Sequence, residues 1–280
     1  MKLKKLLEKW NNITNSLNIL NSQLIMKRRI NKAVKILAII FLIFFLWWLI
    51  YSLNFWPGWL FPSPQTVIKT LFKGFLNGTY IWGILISMRR IFIGFGISLL
   101  FGTALGFLVA KIKLLRQTID PLILGLQTLP SICWLPLALL WFGLNEKAII
   151  FVVVMGTILS ITISVKGAVT SIQPSLINAG KILGARGVNL YRYIILPAIL
   201  PSYITGVKQG WSFAWRSLMS GEMLFITAGL GQLLMFGREL NDMAQVMAVM
   251  MVIVIIGVIF DQFIFGNIES RLNYKWGLLK

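Results

Sequence analysis

The chain has 280 residues, 58% of them hydrophobic and only 12% charged, with a mean hydropathy of +0.82. A soluble domain averages about 25% charged residues, so this composition argues against a water-soluble globule. Lys and Arg outnumber Asp and Glu by 27 to 8. In a soluble protein that excess points to nucleic acid. At this hydropathy it is the positive-inside bias of a membrane protein, whose partner is the lipid bilayer. The absence of histidine and the single Cys133 exclude His-dependent general-base chemistry, His-ligated metals, an internal disulfide and Cys clusters.

Residues 1–35 are polar and basic, with nine Lys or Arg against Glu8. Leu3, Leu6, Leu7 and Trp10 recur at helical spacing, so this segment is either an amphipathic surface helix or a solvated tail. The apolar run 36–53 is too long for a signal-peptide core and has no small-residue cleavage site after it, which makes it an uncleaved first span. Segment 54–80 reads as a re-entry loop. Trp56-Pro57-Gly58-Trp59 and Pro62-Ser63-Pro64 break any helix, and Val67, Ile68, Leu71, Phe72 and Phe75 are then spaced as one face of a short surface helix.

Five further apolar stretches follow, at 82–110, 118–142, 148–168, 199–226 and 245–266. With a cytoplasmic N-terminus, twenty positive charges lie inside and four outside, which places both termini in the cytoplasm. The second span carries Gly94, Ser98, Gly102, Gly106 and Ala110 at intervals of four, and the fifth repeats the pattern with Ser202, Gly206, Gly210 and Ala214. Such stripes let a second backbone approach closely, within a protomer or across a dimer axis. Pro130 and Pro136 predict a kinked or locally unwound third span.

Charges inside the spans are few, and among them are Arg89 and Arg90, Arg216 and Glu222, and Asp261. Each costs roughly 2.5–3.5 kcal/mol on insertion scales unless it is paired or faces water. They mark either a polar pathway or interhelical ion pairs and snorkelling. For Arg216, beside Trp211 and Trp215, the cavity-facing role is the working expectation, with Glu222 in an outer interhelical contact. Asp261 is the one mid-span acid available as an alternative partner.

The connection from Lys166 to Pro201 reads as a short helix, a glycine turn at Gly184 to Gly187, a second short helix, and a proline restarting the next span. This segment resembles the EAA loop of permease subunits of binding-protein-dependent ABC importers. Asn178, Ala179, Gly180, Gly184, Ile194, Leu196 and Pro197 occupy the spacing of its pattern, with Asn178 in place of the glutamate and Gly180 in place of the second alanine. Phe61-Pro62-Ser63-Pro64, Arg89-Arg90 with Gly94, Leu135-Pro136-Leu137-Ala138, Trp141-Phe142-Gly143, Trp211 to Glu222 and Gly229-Leu230-Gly231 resemble the nitrate/sulfonate/taurine/bicarbonate branch.

The resemblance implies an all-α integral membrane protein of six transmembrane helices with the type I ABC-importer permease (MetI-like) architecture. Residues 1–35 would be a basic cytoplasmic segment and 36–280 the permease domain, with its coupling loop at about 175–197. It implies two permease copies, two cytoplasmic ATPase subunits that hold ATP and Mg, and an extracytoplasmic substrate-binding protein. This chain itself would bind no cofactor and no metal. Coupling to the ATPase would fall to Asn178, Ala179, Gly180, Gly184, Ala185, Arg186, Leu196 and Pro197. Arg216, Trp211, Trp215, Arg89, Arg90 and Glu222 are the candidates for the translocation path of a small solute, with an oxyanion favoured by the excess of intramembrane Arg. Gly94, Ser98, Gly102, Gly106, Gly206 and Gly210 are assigned to helix packing. The chain has no phosphate-binding Gly-x-x-x-x-Gly-Lys-Ser/Thr loop, so it is not itself the ATPase. The alternative, a self-contained ion-coupled secondary transporter, leaves a docking loop at 175–197 without a purpose.

Overall fold

The computed structural model describes residues 34–225 and 227–276, so the expectations for the basic tail at 1–33 lie outside the described residues. The chain divides into two units, 1–66 and 67–280. In the first, helix α1 (Val34–Ser52) is long and apolar enough to cross a membrane. Pro57 and Pro62 then keep the chain out of helix, and the Trp47 indole donates to the Pro62 carbonyl (3.2 Å). Ser63 caps the helix that starts at Pro64, its hydroxyl accepting from the Thr66 amide (3.2 Å). That helix, α2 (Pro64–Leu76), is the expected short amphipathic one.

In the second unit, Gly78 turns the chain in a left-handed conformation (φ 74°) into α3 (Thr79–Lys111). Its 33 residues rise about 50 Å, more than a bilayer core needs. Next come α4 (Lys113–Gln127), a 3-10 turn over Ser131–Trp134 and α5 (Leu135–Phe142), with a bend of 104° between the two arms. The break lies at 128–130. Pro130 has no amide hydrogen to donate and pushes Leu129 out of the helical region. Pro136, expected to interrupt the span as well, sits instead in the first turn of α5, where a missing N–H costs nothing.

Asn145 caps α6 (Glu146–Thr170) by accepting from the Lys147 amide (2.8 Å). Helix α6 is apolar on every side, as a helix enclosed by others should be. It lies between α3 and α9 (Leu196–Leu224) and packs on both. Gly94, Gly102 and Gly106 of α3 all face it. A Cβ at these positions would lie 2.7 Å from a methyl of Val153, 2.9 Å from the Ile158 carbonyl and 2.6 Å from Val165. Ser98 donates to the carbonyls of Gly94 (2.8 Å) and Val154 (3.3 Å) on the same face. From the other side, Gly206 meets Ser164 and Gly210 meets Ile161. The two small-residue stripes therefore serve one helix, inside a single protomer.

Between α6 and α9 lie α7 (Pro174–Ile182), the single turn α8 (Val188–Leu190) and a π turn (Tyr191–Ile195) that runs without a break into α9. Pro197 does not restart the span, as the sequence had suggested. Leu196 N–H bonds back to the Tyr191 carbonyl in the widened turn, Pro197 follows directly, Pro201 lies within α9, and the helix continues from Val188 to Leu224. The last described elements are α10 (Leu230–Glu239), α11 (Met243–Ile259), a second π turn (Phe260–Gly266) and α12 (Asn267–Lys275). Among the described residues five helices are long and apolar enough to span a membrane, and the bent α4–α5 pair makes a sixth if it crosses as one.

Candidate functional site

The bend between α4 and α5 opens a cavity of about 400 Å³ against α6 and α9. Gln127, Thr128, Ser131, Ser217 and Ser220 supply its polar wall, and Leu126, Leu129, Trp134, Met155, Leu159 and Phe213 its apolar one. Gly156 of α6 makes the close approach possible, because a Cβ there would run into Ser217 and lie 3.1 Å from Ser131. Arg216 is the only charged side chain on the lining. Its Nε donates to the Ser212 carbonyl (3.2 Å) and its guanidinium lies over the Phe213 ring (4.6 Å). Among the described residues no carboxylate pairs with it. Asp261, the acid the sequence offered, pairs with Lys208 (3.3 Å), which also approaches Glu269 (3.8 Å). The guanidinium therefore lies beside the hydroxyls of Ser131 and Ser217, a donor set suited to an oxyanion, while the Thr128 and Ser220 hydroxyls donate to the Gly125 (2.7 Å) and Arg216 (3.1 Å) carbonyls.

The other sequence-derived path candidates lie elsewhere. Trp211 is buried, stacked on Phe260 (4.8 Å between centroids) and edge-on to Phe95 (5.2 Å), so it joins α3, α9 and the second π turn. Trp215 packs beside Gly257 of α11.

Arg89, Arg90 and Glu222 come together at the Glu146 end of the bundle. Glu222, fully buried, accepts from Arg90 Nη1 (2.8 Å), from the Ser87 hydroxyl (2.7 and 2.9 Å) and from the Gly231 amide (3.0 Å). Arg90 also donates to the Ala228 carbonyl (2.7 Å) and reaches Glu146 (3.3 Å), which accepts from the exposed Arg89 as well (2.6 Å). Ser87 in turn accepts from the Leu230 amide (2.9 Å). The first amides of α10 are thus capped by side chains of α3 and α9, with the carboxylate at the positive end of the helix dipole. Gly229 and Gly231 are required here, since a Cβ on either would fall 2.5–2.6 Å from Glu222. Glu146 and Ser87 were not singled out in the sequence. Their only local signals are an acid in the first turn of a helix and a hydroxyl one turn before Arg90.

At the far end of the bundle, α7 closes with both hydrogen bonds of a Schellman motif, Ala185 N–H to Gly180 C=O (3.0 Å) and Gly184 N–H to Lys181 C=O (3.0 Å). Gly184 holds the left-handed position (φ 87°), and Gly187 is also at positive φ (54°). Gly180 is buried against Ile194, where a Cβ would sit 2.8 Å away, so α7 lies directly on the π turn. Asn178, Ala179 and Arg186 point outward, Ala185 and Pro197 are half-buried, and Leu196 is exposed. Beside them Ile182 (86% exposed), Leu183 (85%) and Val188 (79%) form an apolar tip that no other described residue of this chain covers.

The family of binding-protein-dependent transport system inner membrane components matches residues 98–274, well over half of the chain. A Methanocaldococcus jannaschii protein described as an ABC transporter permease is 34% identical over 206 residues, covering 72% of this chain and 77% of its own. The taurine transport system permease protein TauC of Escherichia coli is 27% identical, covering 84% and 86%. The nitrate import permease protein NrtB of Leptolyngbya laminosa is also 27% identical, covering 75% of each. The fold is similar to that of the MetNI methionine ABC transporter in an inward-facing conformation (TM-score 0.60, 19% identity, 70% of this chain and 97% of that one). The chain, with its long apolar helices, belongs to the binding-protein-dependent transport system inner membrane components, as a multi-pass permease subunit of an ABC importer.

Proposed function

We propose that two copies of this chain form the path for a small oxyanion of the nitrate, bicarbonate and sulfonate or taurine class. One observation carries the substrate class: a cavity whose single lining charge is Arg216, with hydroxyls around it and no acid. The relatives named for taurine and nitrate support the same class. A site of one guanidinium and several hydroxyls attracts an anion without holding it tightly, as conduction requires. Arg89, Arg90, Glu222, Trp211 and Trp215 hold the frame around this path. Both termini are cytoplasmic, and residues 36–280 make up the permease domain. Two ATPase subunits dock on the apolar tip of α7 and α8 and bind ATP and Mg, while a binding protein delivers solute to the opposite end.

Uptake of radiolabelled taurine, nitrate and bicarbonate, measured against the amount of assembled complex, tests this reading. Arg216→Gln is expected to slow uptake of the transported anion about tenfold, the loss of one charge-assisted contact, with complex levels within about twofold. Equal losses of uptake and complex would make Arg216 a structural residue, and unchanged uptake would remove it from the path.

The turn after α7 has its own test. Gly184→Val forces a β-branched residue to φ 87°, at a cost of about 1–2 kcal/mol or more, and so breaks the Schellman turn. Because the space around Gly184 is open, the protein should insert normally. Uptake is expected to fall to background while membrane levels stay close to wild type. Retained uptake together with retained ATPase co-purification would remove this turn from coupling.

A further inference from the structure

The charged cluster beneath α10 is an expensive way to attach a ten-residue helix. A well-packed apolar contact of the same volume is generally as stable as a buried ion pair, or more so. What the ion pair adds is a unique position, since Glu222 is satisfied only when Arg90, Ser87 and the Gly231 amide all converge on it. The partners come from all three central elements: Ser87, Arg89 and Arg90 from α3, Glu146 from α6 and Glu222 from α9. They grip backbone groups of one short stretch, Ala228 C=O, Leu230 N–H and Gly231 N–H. Gly229 and Gly231 let that stretch lie directly on the carboxylate. Helix α10 is therefore fastened by its N-terminus to the three-helix core, at the end opposite α7.

We infer that Arg90 and Glu222 are the positioning residues of a latch that makes α10 and the α3–α6–α9 core one rigid body, so that force applied to α10 from outside reaches the spans directly. Without the latch α10 would be held mainly by α11, through Gly237 against Val246 and Gln245 Nε2 donating to the Leu233 carbonyl (3.0 Å), and could rock together with α11 against α9, where the groove holds a cavity of about 350 Å³ lined by Met223, Leu224, Met235 and Phe236. The latch removes that freedom. It also places the far end of α10, with exposed Phe236 and Leu240, where a docking protein would meet it. This inference rests on the importer reading above for the nucleotide-driven motion of the spans.

Spin labels at Lys147, at the start of α6, and Arg238, in the last turn of α10, in a Cys133→Ser background, read the latch in the complete transporter with its ATPase subunits in lipid nanodiscs. The distance is expected to be narrow and equal, within about 2 Å, in nucleotide-free and ATP–vanadate-trapped complexes. In Glu222→Gln, and more weakly in Ser87→Ala, it should broaden and become nucleotide-dependent, and uptake per complex should fall severalfold. A Glu222→Gln distance as narrow as wild type in both states would overturn the latch. So would a wild-type distance that shifts by more than about 5 Å between states. A second label pair, Leu144 with Leu183, reports the importer cycle itself. If it shows no response to ATP–vanadate, the importer reading fails, and the latch with it. If it responds while the α10 distance in Ser87→Ala and Glu222→Gln stays fixed, only the latch fails.

Discussion

Gly102→Leu is expected to cost about 3 kcal/mol or more and to leave little protein surviving extraction from the membrane. The β-carbon alone would lie 2.9 Å from the Ile158 carbonyl oxygen and 3.0 Å from Ile161 Cβ, before the rest of the leucine is placed. A backbone carbonyl in the middle of α6 cannot move aside without breaking its own helix. Helices α3 and α6 must therefore separate, and α6 cannot retreat because α9 packs on its other side through Gly206 and Gly210. Gly106→Leu should behave the same way, with Val165 and the Thr162 carbonyl as the obstructions. Gly96→Leu, on the open face of the same helix, has no atom within 4 Å of its Cβ and should be nearly silent, as should Leu100→Ile. Thermal melting followed by size-exclusion chromatography of the detergent-extracted protein separates the two groups. Equal melting points for Gly102→Leu and Gly96→Leu would show that the α3–α6 contact does not hold the fold.

Arg90→Ala is expected to destabilise the protein by about 3–5 kcal/mol, because it strands Glu222 as a buried carboxylate without its counter-ion. The Ser87 hydroxyl and the Gly231 amide remain, but neither carries charge. The Ala228 carbonyl loses its partner at the same time. Arg89→Ala removes a neighbouring arginine with an equally short contact to Glu146, yet its side chain is 62% exposed, so no more than about 1 kcal/mol should be lost. Two adjacent arginines thus differ severalfold in effect, because one is buried with a buried carboxylate and a carbonyl to satisfy and the other is exposed. The double variant Arg90→Leu with Glu222→Leu should recover part of the loss, since it leaves no unpaired charge inside. Urea or SDS titration followed by tryptophan fluorescence checks all three. Equal losses for Arg89→Ala and Arg90→Ala would contradict the buried pair.

Much of this architecture is written locally and so is legible residue by residue. A span must satisfy its own backbone hydrogen bonds in lipid, and only a long apolar helix does so. The runs at 36–53, 82–110, 148–168, 199–226 and 245–266 accordingly became helices, most ends within a few residues, but the fifth starts well before its run, at Val188, and the last continues past its run to Leu272. Pro130 marks where the third span breaks, whereas Pro136, which lacks the same amide hydrogen, does not break it because it falls in a first helical turn. Gly184 states the αL turn, since no β-branched residue adopts φ 87° cheaply. Helix α10 was not read from sequence, since its N-cap, Gly229, offers no side-chain oxygen. Its capping groups come from Ser87 and Glu222, far away in the chain.

Pairing is what the sequence leaves open and the tertiary structure decides. The small-residue stripes at 94–110 and 202–214 declare close approach, but nothing in them names α6 as the common neighbour of both. Arg89-Arg90, Glu222 and Gly229-Leu230-Gly231 appear as separate motifs along the chain, and only the fold shows that they are one cluster. Asp261 and Arg216 are both charged residues in apolar stretches, equally eligible as partners, until Lys208 takes the acid and leaves the guanidinium on the cavity wall. The physical reason is common to all three. Helix formation and chain breaking depend on covalent geometry and nearest neighbours, whereas an ion pair or a glycine contact depends on which helix faces come within about 3 Å, and that is set by the packing of the whole bundle.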